Sequence, residues 1–233
     1  VATLSLSLEE MRVVGRHFGA TLNDLAVTLV DEGVHRYLRQ TGRSFPHRLV
    51  AFCPVSLRDD GDTAVGTRVS AMFVHLGESD ANVRERVAQV VAALGAGKQE
   101  LRSMSKEAAM VYAVALLGTA ELTAATHVDR VTPPLANIVI SNIPGAREKM
   151  YLNGAALVGT FPIPPIAMSI GLNATLTSYY DRMNFGFVGN GVVMHDLPQL
   201  ARHVQEAYEE LKAASSGKRG ARRRAARTRG AVR

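Results

Sequence analysis

Thr21 is followed three residues later by Asp24, the spacing of a capping box, in which each side chain satisfies a backbone N–H near the start of a helix. Behind it Leu22, Leu25, Ala26, Leu29, Val30, Val34, Tyr37 and Leu38 fall on one stripe, and Gly42 supplies a stop. A helix with one broad apolar stripe has to bury that stripe against another layer. Whatever this chain folds into therefore contains a long helix over 22–41 packed on something the rest of the sequence must provide.

The rest of the sequence offers strands and further helices. Thr3–Ser7 alternates as a short strand, and Ser7 with Glu10 makes a second capping-box spacing. Arg48–Leu57 and Arg68–Leu76 read as strands split by a turn-rich stretch, with Pro54 predicting a sheet edge or a bulge for the first. Asp80–Ser103 aligns Val83, Val87, Val90, Val91, Leu94 and Leu101 as a helix, with a kink expected at Gly95–Gly97, and Ser105–Thr126 is a further apolar helix. Ala136–Ser141 is a buried strand closed by Pro144–Gly145. Strands follow near Tyr151–Val158, Ile170–Tyr179 and Met183–Val188, the last two joined by a tight turn at Tyr180–Asp181–Arg182. A final helix begins around Pro198 and carries Leu197, Leu200, Ala201, Val204, Ala207, Tyr208 and Leu211 on one face. Helix pairs set between strand pairs predict an α/β (α+β) two-layer sandwich, a mixed or mostly antiparallel sheet covered by helices on one face. The expected division is one domain over 1–214 and a disordered basic tail over 215–233.

Charge narrows the partners. The net charge of +6 comes from the end of the chain, where Lys218, Arg219, Arg222, Arg223, Arg224, Arg227, Arg229 and Arg233 stand without an acid. Without these eight, 19 basic residues face 21 acidic ones, so the body is slightly acidic and is not a nucleic-acid surface. The tail itself reads as a solubilising end or as a segment for an anionic membrane or lipid-droplet surface; lacking aromatic residues, it gives a poor nucleic-acid platform. The single cysteine, Cys53, lies in an apolar run and reads as a small buried hydrophobe in a reducing, cytoplasmic compartment. No apolar run reaches the ~20 residues of a membrane span. The chain opens on Val1 directly in a strand pattern, which predicts a cut or incomplete chain.

Familiar catalytic patterns are absent from the sequence. The seven histidines, His17, His35, His47, His75, His127, His195 and His203, include no adjacent pair, no H-E-x-x-H and no zinc spacing with a cysteine. Gly95-Ala96-Gly97-Lys98 lacks the first glycine and the Ser/Thr of a phosphate loop and falls inside a helix. On these residues alone the chain would not be read as an enzyme, and no catalytic or metal-binding residue is assigned.

Six segments in order carry a resemblance. They are Thr21-Leu22-Asn23-Asp24-Leu25-Ala26-Val27, Cys53-Pro54-Val55-Ser56-Leu57-Arg58, Gly66-Thr67-Arg68-Val69-Ser70-Ala71-Met72, Asn137-Ile138-Val139-Ile140-Ser141-Asn142-Ile143-Pro144-Gly145, Tyr151-Leu152-Asn153-Gly154-Ala155, and the pair Leu172-Asn173 with Ser178-Tyr179. Together they resemble the C-terminal half of the bacterial wax ester synthase/diacylglycerol acyltransferase family, itself similar to chloramphenicol acetyltransferase. The resemblance implies half of a CoA-dependent acyltransferase fold, working with an N-terminal catalytic half on the same polypeptide or a separate chain. It implies acyl-CoA as co-substrate without another cofactor, diacylglycerol or a fatty alcohol as acceptor, and triacylglycerol or wax ester as product. It also suits a location in the cytoplasm, peripheral at the inner membrane or lipid inclusions. The family's general base lies in an HHxxxDG motif that this sequence does not contain. A non-catalytic lipid-binding or scaffold remnant is the alternative. Thr67, Asp181 and His195 depart from the family's usual Asn, Gly and Pro.

The resemblance also nominates site residues. Asp24 is a cap residue and a family motif residue at once; Asn23, off the apolar stripe, is either a tunnel-side hydrogen bonder or structural. Arg58 is either a surface arginine or, by analogy with plant relatives, the partner of the aspartate in the missing histidine motif. Ser141 and Asn142 are either turn chemistry or the tunnel mouth. Asn173 shares a polar strand face with Thr175 and Thr177, facing either solvent or a channel.

Overall fold

The computed structural model describes residues 1–42, 45–56, 69–126, 134–166 and 170–230, with side chains left aside at 106, 113, 116, 117, 120–125 and 218–230. Its elements run β1 (Ala2–Ser7), α1 (Leu8–His17), α2 (Leu22–Gln40), β2 (Arg48–Ser56), β3 (Val69–Glu78), α3 (Val83–Ser103), α4 (Lys106–Ala125), β4 (Ile138–Ile143), β5 (Tyr151–Leu152), β6 (Ala155–Ala156), β7 (Leu172–Tyr179), β8 (Arg182–Gly189) and α5 (Leu197–Gly230). Six strands form one mixed sheet in the order β1-β8-β7-β4-β2-β3, parallel only at β7–β4 and β4–β2. α1, α2, α3 and α5 bury their apolar stripes with one face of this sheet in a single core. The expected two-layer mixed α/β architecture is the observed one.

Local rules explain most element starts. The Thr21–Asp24 capping box forms in both directions, Asp24 N donating to Thr21 Oγ1 at 3.2 Å and Thr21 N to Asp24 Oδ2 at 3.0 Å. α3 starts later than expected because Asn82, with Glu85, forms its own capping box. At Ser7 only half of the box forms: Glu10 N donates to Ser7 Oγ, but the Glu10 carboxylate turns to Lys212 and Tyr208 on α5. α3 continues unbroken through Gly95–Gly97 rather than kinking there. Gly97 has a different use: a Cβ there would stand 2.9 Å from Met72 Sδ, so its absence lets α3 press onto β3. Gly33 does the same between α2 and α5, where a Cβ would lie 2.4 Å from Val204 Cγ2.

Pro54 does not mark an edge. β2 is an interior strand between β4 and β3, and Pro54 pairs with Ala71 of β3. The proline is tolerated because β2 and β4 pair only at Ala51–Phe52, so beyond Phe52 no ladder partner on that side asks for its missing N–H. The expected strand near Tyr151–Val158 is a separate two-stranded hairpin, β5–β6, turning at Asn153 and Gly154, both at positive φ. α5 runs on past Ser215, where the apolar pattern ends, to Gly230; of the expected tail over 215–233, the side chains from 218 on and the whole of 231–233 lie outside the described residues.

The polar core was not anticipated. Arg86 on α3 is fully buried and its Nε donates to Glu32 at 2.7 Å, while Nη2 donates to the Glu78 carbonyl at 2.8 Å. Asp31 accepts from Arg86 Nη1 at 3.0 Å and from Gly77 N at 2.8 Å. This set ties α2, α3 and the end of β3 together, and Gly77 has no room for a side chain against the Arg86 stem.

Candidate substrate cleft

Where β2 and β4 part after Phe52, the gap becomes a cleft of about 280 Å³ between the sheet and the first turns of α2 and the later turns of α3. Its walls are Val27 of α2, Leu94 of α3, Cys53, Pro54 and Val55 of β2, Met72 of β3 and Ile140 of β4. Its polar lining is Asn23, Ser56, Lys98 and Asn142. Val27, Cys53, Met72, Leu94 and Ile140 are buried, while Lys98 and Asn142 are more open, so the cleft is apolar at the bottom and polar at the mouth.

Two sequence candidates meet at that mouth. Asn142 Nδ2 donates to Asn23 Oδ1 at 3.2 Å, tying the start of α2 to the end of β4 across 119 residues of chain. Asp24 caps α2 and has a second use: its Oδ1 lies 3.4 Å from Lys98 Nζ, the lysine of the Gly95-Ala96-Gly97-Lys98 segment. The one visible signal for Lys98 is that it stands four residues after the buried Leu94, at the edge of an apolar stripe. Burial pushes the Cys53 thiol from 9.0 up to about 12, with the Lys98 ammonium pulling weakly the other way. Cys53 is thus a neutral thiol in the wall and no nucleophile near neutral pH.

The other candidates lie elsewhere. Strand alternation places Ser141 on the opposite side of the sheet from Ile140 and Asn142, beside Thr175, its register partner. Asn173, Thr175 and Thr177 occupy that same side and are buried, not solvated. Thr175 Oγ1 donates to Asn173 Oδ1 at 2.8 Å. The segment between β4 and β7 crosses this face: a Cβ on Gly186 would lie 1.8 Å from the Pro162 carbonyl oxygen. Asn173 and Ser141 therefore belong to a covered polar stripe and do not reach the cleft. Arg58 and Thr67 lie outside the described residues. Among the described residues, one group of potential metal ligands, His47, Glu78 and Asp80, clusters at an exposed end of the β2–β3 pair, where Glu78 already pairs with Arg48.

Comparison with known proteins decides the family, since the WS/DGAT C-terminal domain matches residues 65–212. The chain belongs to the WS/DGAT C-terminal domain family. A Mycobacterium tuberculosis protein bearing the name diacylglycerol O-acyltransferase is 33% identical over 216 residues, covering 91% of this chain and 44% of the relative. A Mycobacterium bovis protein of similar name is 34% identical over 209 residues, covering 89% and 44%. The solved wax ester synthase/diacylglycerol acyltransferase from Marinobacter aquaeolei superposes with a TM-score of 0.80 at 27% identity, over 92% of this chain and 49% of that one. The epimerization domain of tyrocidine synthetase B, at TM-score 0.57 and 12% identity, shares the fold alone. This WS/DGAT C-terminal domain thus spans about half the length of the relatives it matches.

Its surface carries apolar side chains that the core does not use. Val111 and Val114 of α4 are each 69% exposed, and Leu152 and Val158 around the β5–β6 hairpin are 82% and 93% exposed. No helix among the described residues is long and apolar enough to cross a membrane.

Proposed function

We propose that this chain is the C-terminal module of an acyl-CoA-dependent O-acyltransferase that esterifies diacylglycerol or a long-chain alcohol. The observation that carries this reading is the cleft, with an apolar floor and a polar mouth framed by Asn23 and Asn142, of which Asn142 lies within the residues matched to the family and Asn23 within a segment that resembles it. Such a slot suits a fatty chain, buried at its hydrocarbon end and hydrogen-bonded at its head. The base that deprotonates the acceptor hydroxyl would come from an N-terminal half carrying HHxxxDG; the resulting oxygen attacks the thioester carbonyl and the CoA thiol leaves. This chain supplies wall and positioning residues, Arg58 among them as partner of that motif's aspartate. Acyl-CoA is the co-substrate and no further cofactor is called for. The exposed apolar side chains of α4 and the β5–β6 hairpin support a docked second half. The basic end of α5 suits a peripheral cytoplasmic position on an anionic membrane or lipid inclusion.

The test is transfer from labelled palmitoyl-CoA to diacylglycerol and to hexadecanol, with this chain alone and with a family N-terminal half added. Product only with both halves is the expected result. Product from this chain alone would overturn the assignment of the base to the other half. Absence of product in both settings, with lipid still bound, would favour a lipid-binding remnant.

A further inference from the structure

Among the described residues, Lys98 is the one charged residue lining the cleft. It stands where the α3 stripe would otherwise continue as hydrocarbon, four residues beyond Leu94 and next to Gly97, whose missing side chain brings the helix onto Met72. The stem can therefore lie along the apolar wall while the ammonium, on a side chain 39% exposed, stays at the mouth. Its partner among the described residues is Asp24, at 3.4 Å, well beyond the ~2.7–2.9 Å of a tight ammonium–carboxylate contact. Asp24 is held by its other oxygen, which accepts from Thr21 N in the cap, so it cannot swing after the lysine without breaking the start of α2. The carboxylate keeps Lys98 near the mouth without saturating its three donors.

From this geometry we infer that Lys98, steered by Asp24, is the anchor for the anionic head of a fatty ligand whose tail lies in the cleft against Met72, Leu94 and Ile140. The inference rests on the cleft being the lipid site of the proposed function, and it adds selection by charge. An alcohol of the same length finds the same wall and the amides of Asn23 and Asn142, but no charge to complement its head. The anionic head that fits this geometry is a fatty carboxylate; in a fatty acyl-CoA the phosphates lie a whole pantetheine arm beyond the thioester, out of reach of an ammonium at the mouth of a cleft that holds the acyl tail.

Equilibrium dialysis of the 233-residue chain against labelled palmitate, palmitoyl-CoA, CoA and hexadecanol tests this. Lys98→Met should weaken binding of the anionic ligand roughly tenfold, the worth of one charge-assisted hydrogen bond, while hexadecanol changes little. Lys98→Arg should hold the preference, and Asp24→Asn, which keeps an oxygen for the Thr21 cap and frees the ammonium, should raise it. A loss on palmitate with CoA unbound assigns the anion to the carboxylate; losses confined to palmitoyl-CoA and CoA would put the CoA phosphates at Lys98 with the acyl chain outside the cleft, and would overturn the inference. Equal loss of palmitate, palmitoyl-CoA and hexadecanol in Lys98→Met, no loss at all, or failure of every ligand to bind the parent chain would overturn the inference. Urea midpoints for each variant show that the fold is intact. These readouts are independent of turnover, so a reunited enzyme that fails to transfer acyl groups would sink the proposed reaction and leave the charge anchor standing.

Discussion

Arg86 meets Asp31 at 3.0 Å where neither side chain is exposed to solvent. A charge so placed is held by its partners, and removing it leaves carboxylates buried without compensation. Arg86→Met should therefore lower the free energy of unfolding by about 3–5 kcal/mol, read from urea titration. A loss under 1 kcal/mol would mean that water reaches Asp31 and Glu32.

The close approach of α2 and α5 at Gly33 predicts strong coupling to Val204. Gly33→Ala adds a methyl 2.4 Å from Val204 Cγ2 and 3.2 Å from its backbone N, and should cost about 1–3 kcal/mol. Val204→Ala removes the nearer atom, so the double variant should be less unstable than the sum of the two singles. Additive losses in a double-mutant cycle would show that the helices adjust elsewhere.

Alkaline stability should report on Cys53. Its folded pKa is raised from 9.0 to about 12 by burial, so the folded state favours the neutral thiol. That contribution is complete below about pH 9 and is lost as pH rises from there toward 12. Cys53→Ala should make the decline above pH 9 shallower in unfolding curves taken at a series of pH values. Iodoacetamide at pH 8 should leave the folded thiol unmodified and label it in urea.

Asn23 and Asn142 share one hydrogen bond across the mouth of the cleft. Replacing either with Ala should reduce turnover of the reunited two-half enzyme roughly tenfold, and the double variant should lose little more. Two independent, multiplying losses would show that each amide meets the substrate separately.

Arg58→Ala, also in the reunited enzyme, should depress kcat sharply and leave palmitate binding to this chain unchanged. Unchanged turnover would remove Arg58 from the catalytic assembly.

The helices were legible because their signals are local. Thr21 and Asp24 are three residues apart and meet in the structure as their spacing predicts, and the stripe from Leu22 to Leu38 packs as read. Pro54 misled because its cost depends on whether a neighbour needs its N–H, which the parting of β2 from β4 decides. The cleft was half visible: Asn23 and Asn142 stand in recognisable motifs, while Lys98 reaches Asp24 from 74 residues away. Arg86 stayed hidden because an arginine beside a valine stripe reads as surface until its carboxylates, 54 and 55 residues back, are brought against it. Ser141 and Asn142 are neighbours in sequence, and only the registered strand shows them facing opposite ways.

That opposition makes the sheet a partition between two separately adjustable compartments. Asn23, Lys98 and Asn142 can change without disturbing Ser141, Asn173 and Thr175, since a layer of backbone stands between them. A lineage could then retune which lipid is held on one side while the covered polar stripe on the other drifts under its own constraints.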